Sequence, residues 1–336
     1  MNEEVFKRLK GAGLLSDQPM DLGLVPTGSM ALNMVVSGKY DGGIPIGGIT
    51  QIKGESSTAK TVFVTGILRA AQKKGYYAVL ADSENAYNVD FAKMLGIDPT
   101  RLFYHAPESI EESFEYIENT INQIRDMDPD TPIVVGYDSI AVSPTRKELK
   151  GEDYEQSQID GAYRAKITGG CLRKINPMLR KKRVSLVIVN QLRSKIGIMY
   201  GSPDTNAAGG RALEYYLAVD LKTISNKTSD LLRNENKKII GIRGTVRNTK
   251  NKVSMPYREC EFELMYDKGL TEDFGLLKSL VEEGHISKNG AWYNCGDKKF
   301  QNMDSFRKLL EDKSLEEFDE VRKILKVDLT KKIESL

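Results

Sequence analysis

The sequence predicts an α/β protein, a largely parallel sheet flanked by helices with a small C-terminal α/β lobe. Three observations lead there. Short β-branched or aromatic runs alternate with helix-period segments from about residue 49 to 191. Those runs are apolar almost throughout, as strands covered on both faces must be. After Gln191 the alternation stops, and from about Leu270 the composition turns helical and charged.

In chain order, the first core strand is ITQIKG, ending at Gly54, with the helical stretch VFVTGILRAAQKKG close behind. YYAVLADSE, LFYHAP, PIVVGYDS and VSLVIVNQ supply the next strands. SIEESFEYIENTINQIRDM is a helix, with Ser109 as N-cap and Glu112 three residues on, the spacing of a capping box. LRSKIGIMYGSPDTNAAGGRALEY reads as loop, and LAVDLKTIS, KIIGIRGTVRN and RECEFELMY as strands of a more antiparallel kind. LLKSLVEEG and the acidic EDKSLEEFDE belong to the last lobe. The expected division is an N-terminal segment at 1–25, a core at 26–269 and the lobe at 270–336. In such a sheet, ligands bind beyond the carboxyl ends of the strands.

Composition narrows the function. Over 336 residues the net charge is only +2, so bulk charge says little about partners. Cys171, Cys260 and Cys295 lie far apart and only His105 and His285 are present, which argues against a disulfide framework or a zinc site. MNEEVFKRLKGAGLL is charged rather than a signal peptide, and no run of about 18 apolar residues is present to span a bilayer. The expected compartment is a reducing cytoplasm, with no membrane partner.

Gly54–Thr61, GESSTAKT, departs by one residue from the phosphate-binding pattern G-x-x-x-x-G-K-[ST]: Ala59 stands at the second glycine. Such a loop works because backbone N–H groups and a helix N-terminus converge on phosphate oxygens. Gly54, Glu55, Ser56, Ser57, Thr58 and Ala59 would form the cradle. Lys60 would bring charge to the β/γ-phosphates, and Thr61 would ligate Mg²⁺. Asp138 closes an apolar strand where a Walker-B carboxylate holds the metal shell. Asp82 and Glu84 close another, where a carboxylate can orient and deprotonate water. Taken singly, each of these acids also fits a helix cap. Together with the loop they read as a nucleoside triphosphatase.

At this point the residues resemble one family, the RecA-type DNA strand-exchange ATPases, over about residues 26–300. PTGSMALNMVV…GGIPIGGITQIKG resembles the entry to its P-loop, and ADSENAYNVDFAKMLGIDPTRLF the segment carrying its catalytic glutamate, here Glu84. Within that segment Asn88 and Phe91 match positions that contact and stack on adenine. IVVGYDSIAVSPTRKELKGE resembles the Walker-B strand and the entry to a first DNA-binding loop, about 150–161. VIVNQLRSKIGIMYGSPDTNAAGGRALEYY resembles the γ-phosphate-sensing glutamine, Gln191, and a second DNA-binding loop, about 193–211. TVRNTKNKVSMPYRECEFELMY resembles the strand whose lysines, Lys250 and Lys252, reach the neighbouring protomer's ATP, and GAWY is family-like too. Ala59, Asn88 and the short segment before Pro26 depart from the pattern. The resemblance implies a RecA-like P-loop core using ATP and Mg²⁺, the metal at Thr61 and Asp138. It also implies an N-terminal oligomerisation segment at 1–25, a helical filament with ATP at protomer interfaces, single-stranded and homologous duplex DNA as partners, loading or single-strand-binding proteins, and a bacterial cell or phage-infected host.

The DNA reading has support from charge. From Gly161 to Pro203 there are ten basic residues and no acid, among them Arg164, Arg173 and Arg193; Asn236–Arg258 holds seven more, again without an acid. Such segregation suits a polyanion groove, although LRKINPMLRKKR also suits a solvated helix end. RSKIGIMYG mixes Arg193 and Lys195 with Ile196, Ile198, Met199 and Tyr200, a blend that holds phosphates and wedges between bases, or that builds an interface loop. Arg193, Ser194, Lys195, Ile196, Gly197, Met199, Gly209, Gly210 and Arg211 are its expected DNA contacts, with Arg164 and Arg173. The preferred function is a DNA-dependent ATPase of homologous pairing and strand exchange. A ring-forming helicase and a nucleotide-binding filament protein without turnover are the other readings.

Overall fold

The computed structural model describes residues 22–151, 157–193, 206–207, 210–225, 229–295, 298–303, 305–306 and 308. Of 157–160, 193, 206–207, 210–211 and 272–274 it describes the backbone alone. The strands are β1 (Leu24–Val25), β2 (Ile44–Pro45), β3 (Ile49–Gly54), β4 (Tyr77–Asp82), β5 (Leu102–His105), β6 (Ile133–Asp138), β7 (Val184–Arg193) and β8 (Asn206–Ala207). They continue as β9 (Leu217–Ile224), β10 (Leu231–Arg233), β11 (Ile239–Asn251), β12 (Glu259–Met265), β13 (Gly269–Thr271), β14 (Ser287–Asn289), β15 (Trp292–Cys295) and β16 (Lys298–Phe300).

The main sheet runs β13-β12-β11-β9-β3-β7-β6-β4-β5, with β10 beside β11 and β8 beside β7. From β9 to β5 all neighbours are parallel. β11, β12 and β13 extend the sheet antiparallel. LAVDLKTIS is therefore not purely antiparallel as expected, since as β9 it lies parallel to β3 on one side and antiparallel to β11 on the other. Its own sequence gives no sign of this, because the neighbour that sets direction is more than 160 residues away.

Both faces of the central strands β4 and β6 are covered, which explains their apolarity, whereas the edge strand β5 leaves Phe103 and Tyr104 exposed. Val187 and Val189 pack with Phe63, Ile67 and Leu68 of the Lys60–Lys73 helix. Leu186 and Ile188 face the other way, onto the helices Ile110–Met127 and Ser157–Lys181. In the Ile110–Met127 helix the buried residues Ile110, Phe114, Ile117, Ile121 and Ile124 recur every three or four positions, one apolar stripe. Each such side chain contributes about 1.5–3 kcal/mol relative to an exposed one. Ser109 caps this helix by accepting from Glu112 N, as expected. The Glu112 carboxylate reaches one residue beyond a capping box, to Glu108 N at 2.9 Å, and pairs with His105 Nε2 at 3.0 Å.

The strand expected to end at Gln191 does not end there. β7 continues through Arg193 and pairs with β8, Leu192 opposite Ala207. Residues 194–205 lie outside the described residues. The C-terminal segment combines the Glu272–Glu282 helix with the three-stranded sheet β14-β15-β16. Its core of Leu276, Leu280, Ile286, Phe300 and Phe306 incorporates Tyr40, whose hydroxyl lies 3.2 Å from Ser279 Oγ. Among the described residues no helix is long and apolar enough to cross a membrane.

Candidate active site

β3 ends at Gly54, and the chain turns through Glu55–Ala59 into the Lys60–Lys73 helix. Gly54 has no room for a side chain: a Cβ would fall 2.1 Å from Thr223 Oγ1 and 2.7 Å from Thr58 Oγ1. Those two hydroxyls meet at 2.7 Å, and Thr58 is also 2.8 Å from Glu55 O, to which it donates. Ala59, the N-cap of the helix, is left-handed at φ 66° and ψ 16°. That is a conformation glycine adopts freely, so the position asks for glycine for its backbone alone. Ala59→Gly should therefore raise the stability of the nucleotide-free protein by about 0.5–1 kcal/mol, the strain relieved outweighing the added chain entropy. Urea unfolding measures this, and a lowered midpoint would contradict it.

Lys60 Nζ folds back over the loop to Glu55 O at 2.6 Å. Thr61 Oγ1 donates to Asp138 Oδ2, also at 2.6 Å. Asp138 is buried, and its other oxygen, Oδ1, has no hydrogen-bond partner. Burial is the main reason its pKa is pushed up to about 7; the charges of Glu84 and Asp82 add to this, while the Thr61 hydrogen bond and Lys60 oppose it. A carboxylate pressed towards neutrality with one oxygen unsatisfied, beside a hydroxyl, is an oxygen-only donor set that suits a hard divalent cation.

The two strand-end acids of β4 divide their work. Asp82 is buried and accepts from Tyr87 N at 2.9 Å and Tyr104 OH at 3.2 Å, so it braces the turn. Glu84 faces the cleft, accepting from Ser139 Oγ at 2.8 Å and from Gln191 Nε2 at 3.1 Å. Asn88 is an N-cap: its Oδ1 accepts from Phe91 N at 2.8 Å. Phe91 packs edge-on against Tyr87 and lines the cleft.

The cleft measures ≈390 Å³ and is lined by Ser56–Thr61, Glu84, Phe91, Asp138 and Gln191, all anticipated from sequence. Asn88 is not among its walls. Ile242, Leu264 and Tyr266 complete it, and the sequence reading missed them. They come from β11, β12 and the residue after β12, at least 180 positions beyond the phosphate loop. For Leu264 and Tyr266 the one available signal was the apolar alternation of RECEFELMY, which also describes any half-buried strand.

The family model of the RecA N-terminal domain matches residues 7–271. The chain belongs to the RecA family. It is 33% identical to Protein RecA of Aquifex aeolicus (strain VF5) over 300 residues, 89% of this chain and 82% of that protein. Protein RecA of Chlorobaculum tepidum is 34% identical over 298 residues, 88% of this chain and 81% of that protein. For Streptomyces coelicolor the figures are 32% over 302 residues, 88% and 75%. As a RecA-type recombinase the chain is a DNA-dependent ATP hydrolase of recombination and repair that promotes strand exchange. It binds nucleotide and DNA and forms filaments; neither the ring-helicase reading nor the scaffold without turnover is favoured.

In this RecA-family chain Lys250, Lys252, Arg164 and Arg173 lie away from the cleft. Lys250 stands opposite Asp220, which in turn faces Gln51, three residues before Gly54, so both lysines sit towards the amino ends of β3 and β7. Lys250 Nζ donates to Glu214 O, and its pKa is lowered by burial and then by the charge of Lys252. Arg164 donates to the carbonyls of Ile140, Ala141 and Ser143, at 3.3, 3.2 and 2.7 Å, and so braces the loop after β6. Arg173 is exposed on its helix. The acid-free stretch 236–258 is balanced across strands, Arg243 pairing with Glu263 and Arg247 with Glu259, each at 2.8 Å. Arg193 ends β7, and Gly210 and Arg211 open the Gly210–Tyr216 helix. Ser194, Lys195, Ile196, Gly197, Met199 and Gly209 lie outside the described residues, as do 152–156 of the first expected DNA loop.

Proposed function

We propose that the cleft takes ATP with Mg²⁺, and that its hydrolysis sets the grip of residues 193–211 on single-stranded DNA. The observation that carries this is the Gln191–Glu84 hydrogen bond, which joins the residue suited to activate water to the strand leading into that loop. Thr61 and Asp138 would hold the cation, which when bound neutralises charge on the β- and γ-phosphate oxygens. Lys60 exchanges Glu55 O for the γ-phosphate. Glu84 orients the attacking water and accepts its proton. The base lies against Phe91, with Ile242, Leu264 and Tyr266 as the apolar wall; Asn88 acts on it only through the helix it caps.

Gln191 has one amide to give. With a γ-phosphate present it turns from Glu84 to phosphate, frees the carboxylate for water, and tensions β7 as far as Arg193, an order switch in the loop. Lys250 and Lys252, remote from their own phosphate loop, serve the ATP of the next protomer, so that turnover requires assembly. In this scheme 1–25 joins protomers, 26–269 is the ATPase core with DNA loops at about 150–161 and 193–211, and 270–336 is an accessory lobe. Homologous duplex, loading or single-strand-binding proteins and a cytoplasmic setting complete the proposal.

Gln191→Ala tests the switch. Nucleotide affinity should stay within about twofold, while stimulation of ATPase by single-stranded DNA should fall at least about tenfold. Turnover is measured with and without an oligonucleotide. Full DNA stimulation in the variant would refute the coupling.

A further inference from the structure

β11 carries one residue more than its partner just before the two lysines. Arg247 stands opposite Lys222 and Lys250 opposite Asp220: three steps on β11 match two on β9, and Thr249 is the surplus. Facing residues in a ladder share a side of the sheet, and a single inserted residue reverses the side taken by everything after it. Without the insertion Lys250 and Lys252 would share the side of Asn248, whose amide meets Val35 O of the Met30–Ser37 helix. With it, both lysines emerge on the opposite side, where Lys250 meets Glu214 O. Asn251 turns inward instead and donates to Val36 O at 2.7 Å.

The bulge is clamped. Thr249 Oγ1 donates to Asp220 Oδ2 at 2.8 Å and lies 3.2 Å from Asp220 O. Asp220, itself buried, is fixed by Lys53 Nζ at 2.5 Å and Gln51 Nε2 at 2.8 Å, both on β3. Gln51 accepts in turn from Asn190 at 3.0 Å, the neighbour of Gln191 on β7. A buried carboxylate with three side-chain donors from two strands is a rigid anchor. The strand is next tied down just past the lysine, by Lys252 N to Ala218 O at 2.8 Å.

We infer that the Asp220–Thr249 clamp is the positioning device for Lys250 and Lys252: it holds the bulge that turns both ammonium groups out towards an adjoining protomer. Thr249 and Asp220 are positioning residues that act through the lysines. The inference rests on the reading of those lysines as acting across the protomer interface. It adds that their direction is set by a hydroxyl on the residue before Lys250, braced through β3.

Thr249→Val keeps the β-branched shape and removes the hydroxyl; Thr249→Ser restores a hydroxyl. The kcat for ATP on saturating single-stranded DNA should fall about tenfold in Thr249→Val and recover to within about twofold in Thr249→Ser. Nucleotide affinity of dilute protein without DNA should be unchanged, because the cleft is not touched. In a background with both Lys250→Ala and Lys252→Ala, Thr249→Val should have no further effect, whereas a merely structural role would add its own loss. If Lys250→Ala removes turnover but Thr249→Val does not, the clamp is refuted and the lysine reading stands. If Lys250→Ala leaves turnover intact, the lysine reading fails and the inference with it. A further loss from Thr249→Val when both lysines are alanine, or failure of Thr249→Ser to recover, also overturns it.

Discussion

Glu84→Gln should lower DNA-stimulated ATP turnover by about 10²–10³-fold while leaving nucleotide affinity within about twofold. The substitution keeps the shape and both ends of the hydrogen-bonded set: a glutamine carbonyl still accepts from Ser139 Oγ and Gln191 Nε2, now at 2.8 and 3.1 Å from Glu84 Oε1. Only the base is lost. Asp82 does not substitute for it, being engaged by Tyr87 N and Tyr104 OH on the buried side of the turn. Asp138 does not either, because Thr61 occupies one of its oxygens and burial already disfavours its charged form. Single-turnover hydrolysis on DNA-bound filaments, beside equilibrium binding of a fluorescent nucleotide, separates chemistry from affinity. A variant that keeps more than about a tenth of wild-type turnover would remove Glu84 from the reaction.

The same carboxylate illustrates what the sequence could disclose. Glu84 and Asp82 are two residues apart at the end of one apolar run, and by pattern either could serve. Their separation into a cleft-facing and a bracing acid arises from Tyr104, on the neighbouring strand β5, and from Ser139 beyond β6. Elements built from local signals were legible: the β3 strand, the turn from Gly54 into the Lys60–Lys73 helix and the Ser109 cap all stand where spacing placed them. Features that depend on partners distant along the chain were not. The parallel pairing of β9, the wall formed by Ile242, Leu264 and Tyr266, and the bulge at Thr249 all follow from strand neighbours brought together by crossover. Charge suffers the same blindness. Residues 236–258 contain no acid in sequence, yet the ladder sets Glu263 and Glu259 opposite Arg243 and Arg247. Exposed pairs of this kind contribute little to stability, about 0–1 kcal/mol each, but they take Arg243 and Arg247 out of a polyanion footprint.

The two glycine positions of the phosphate-loop pattern are unequal, and this accounts for the one that is missing. At Ala59 the requirement is a left-handed backbone, which alanine meets at modest cost. At Gly54 the requirement is space. The nearest atoms include Thr223 O at 2.7 Å as well as Thr223 Oγ1 at 2.1 Å, and the first of these is backbone. Gly54 pairs with Gln191 on β7 and Thr223 on β9, so neither side of β3 has room to retreat without breaking a central ladder. Gly54→Ala should thus destabilise the protein by about 3 kcal/mol, at the upper end for a single added methyl, and weaken nucleotide binding at least about tenfold as the loop tilts away from Thr223. Thermal unfolding without nucleotide and a binding isotherm on the folded fraction measure the two effects separately. Wild-type stability in Gly54→Ala would mean that Thr223 yields, and that β9 is not the rigid floor on which the phosphate loop rests.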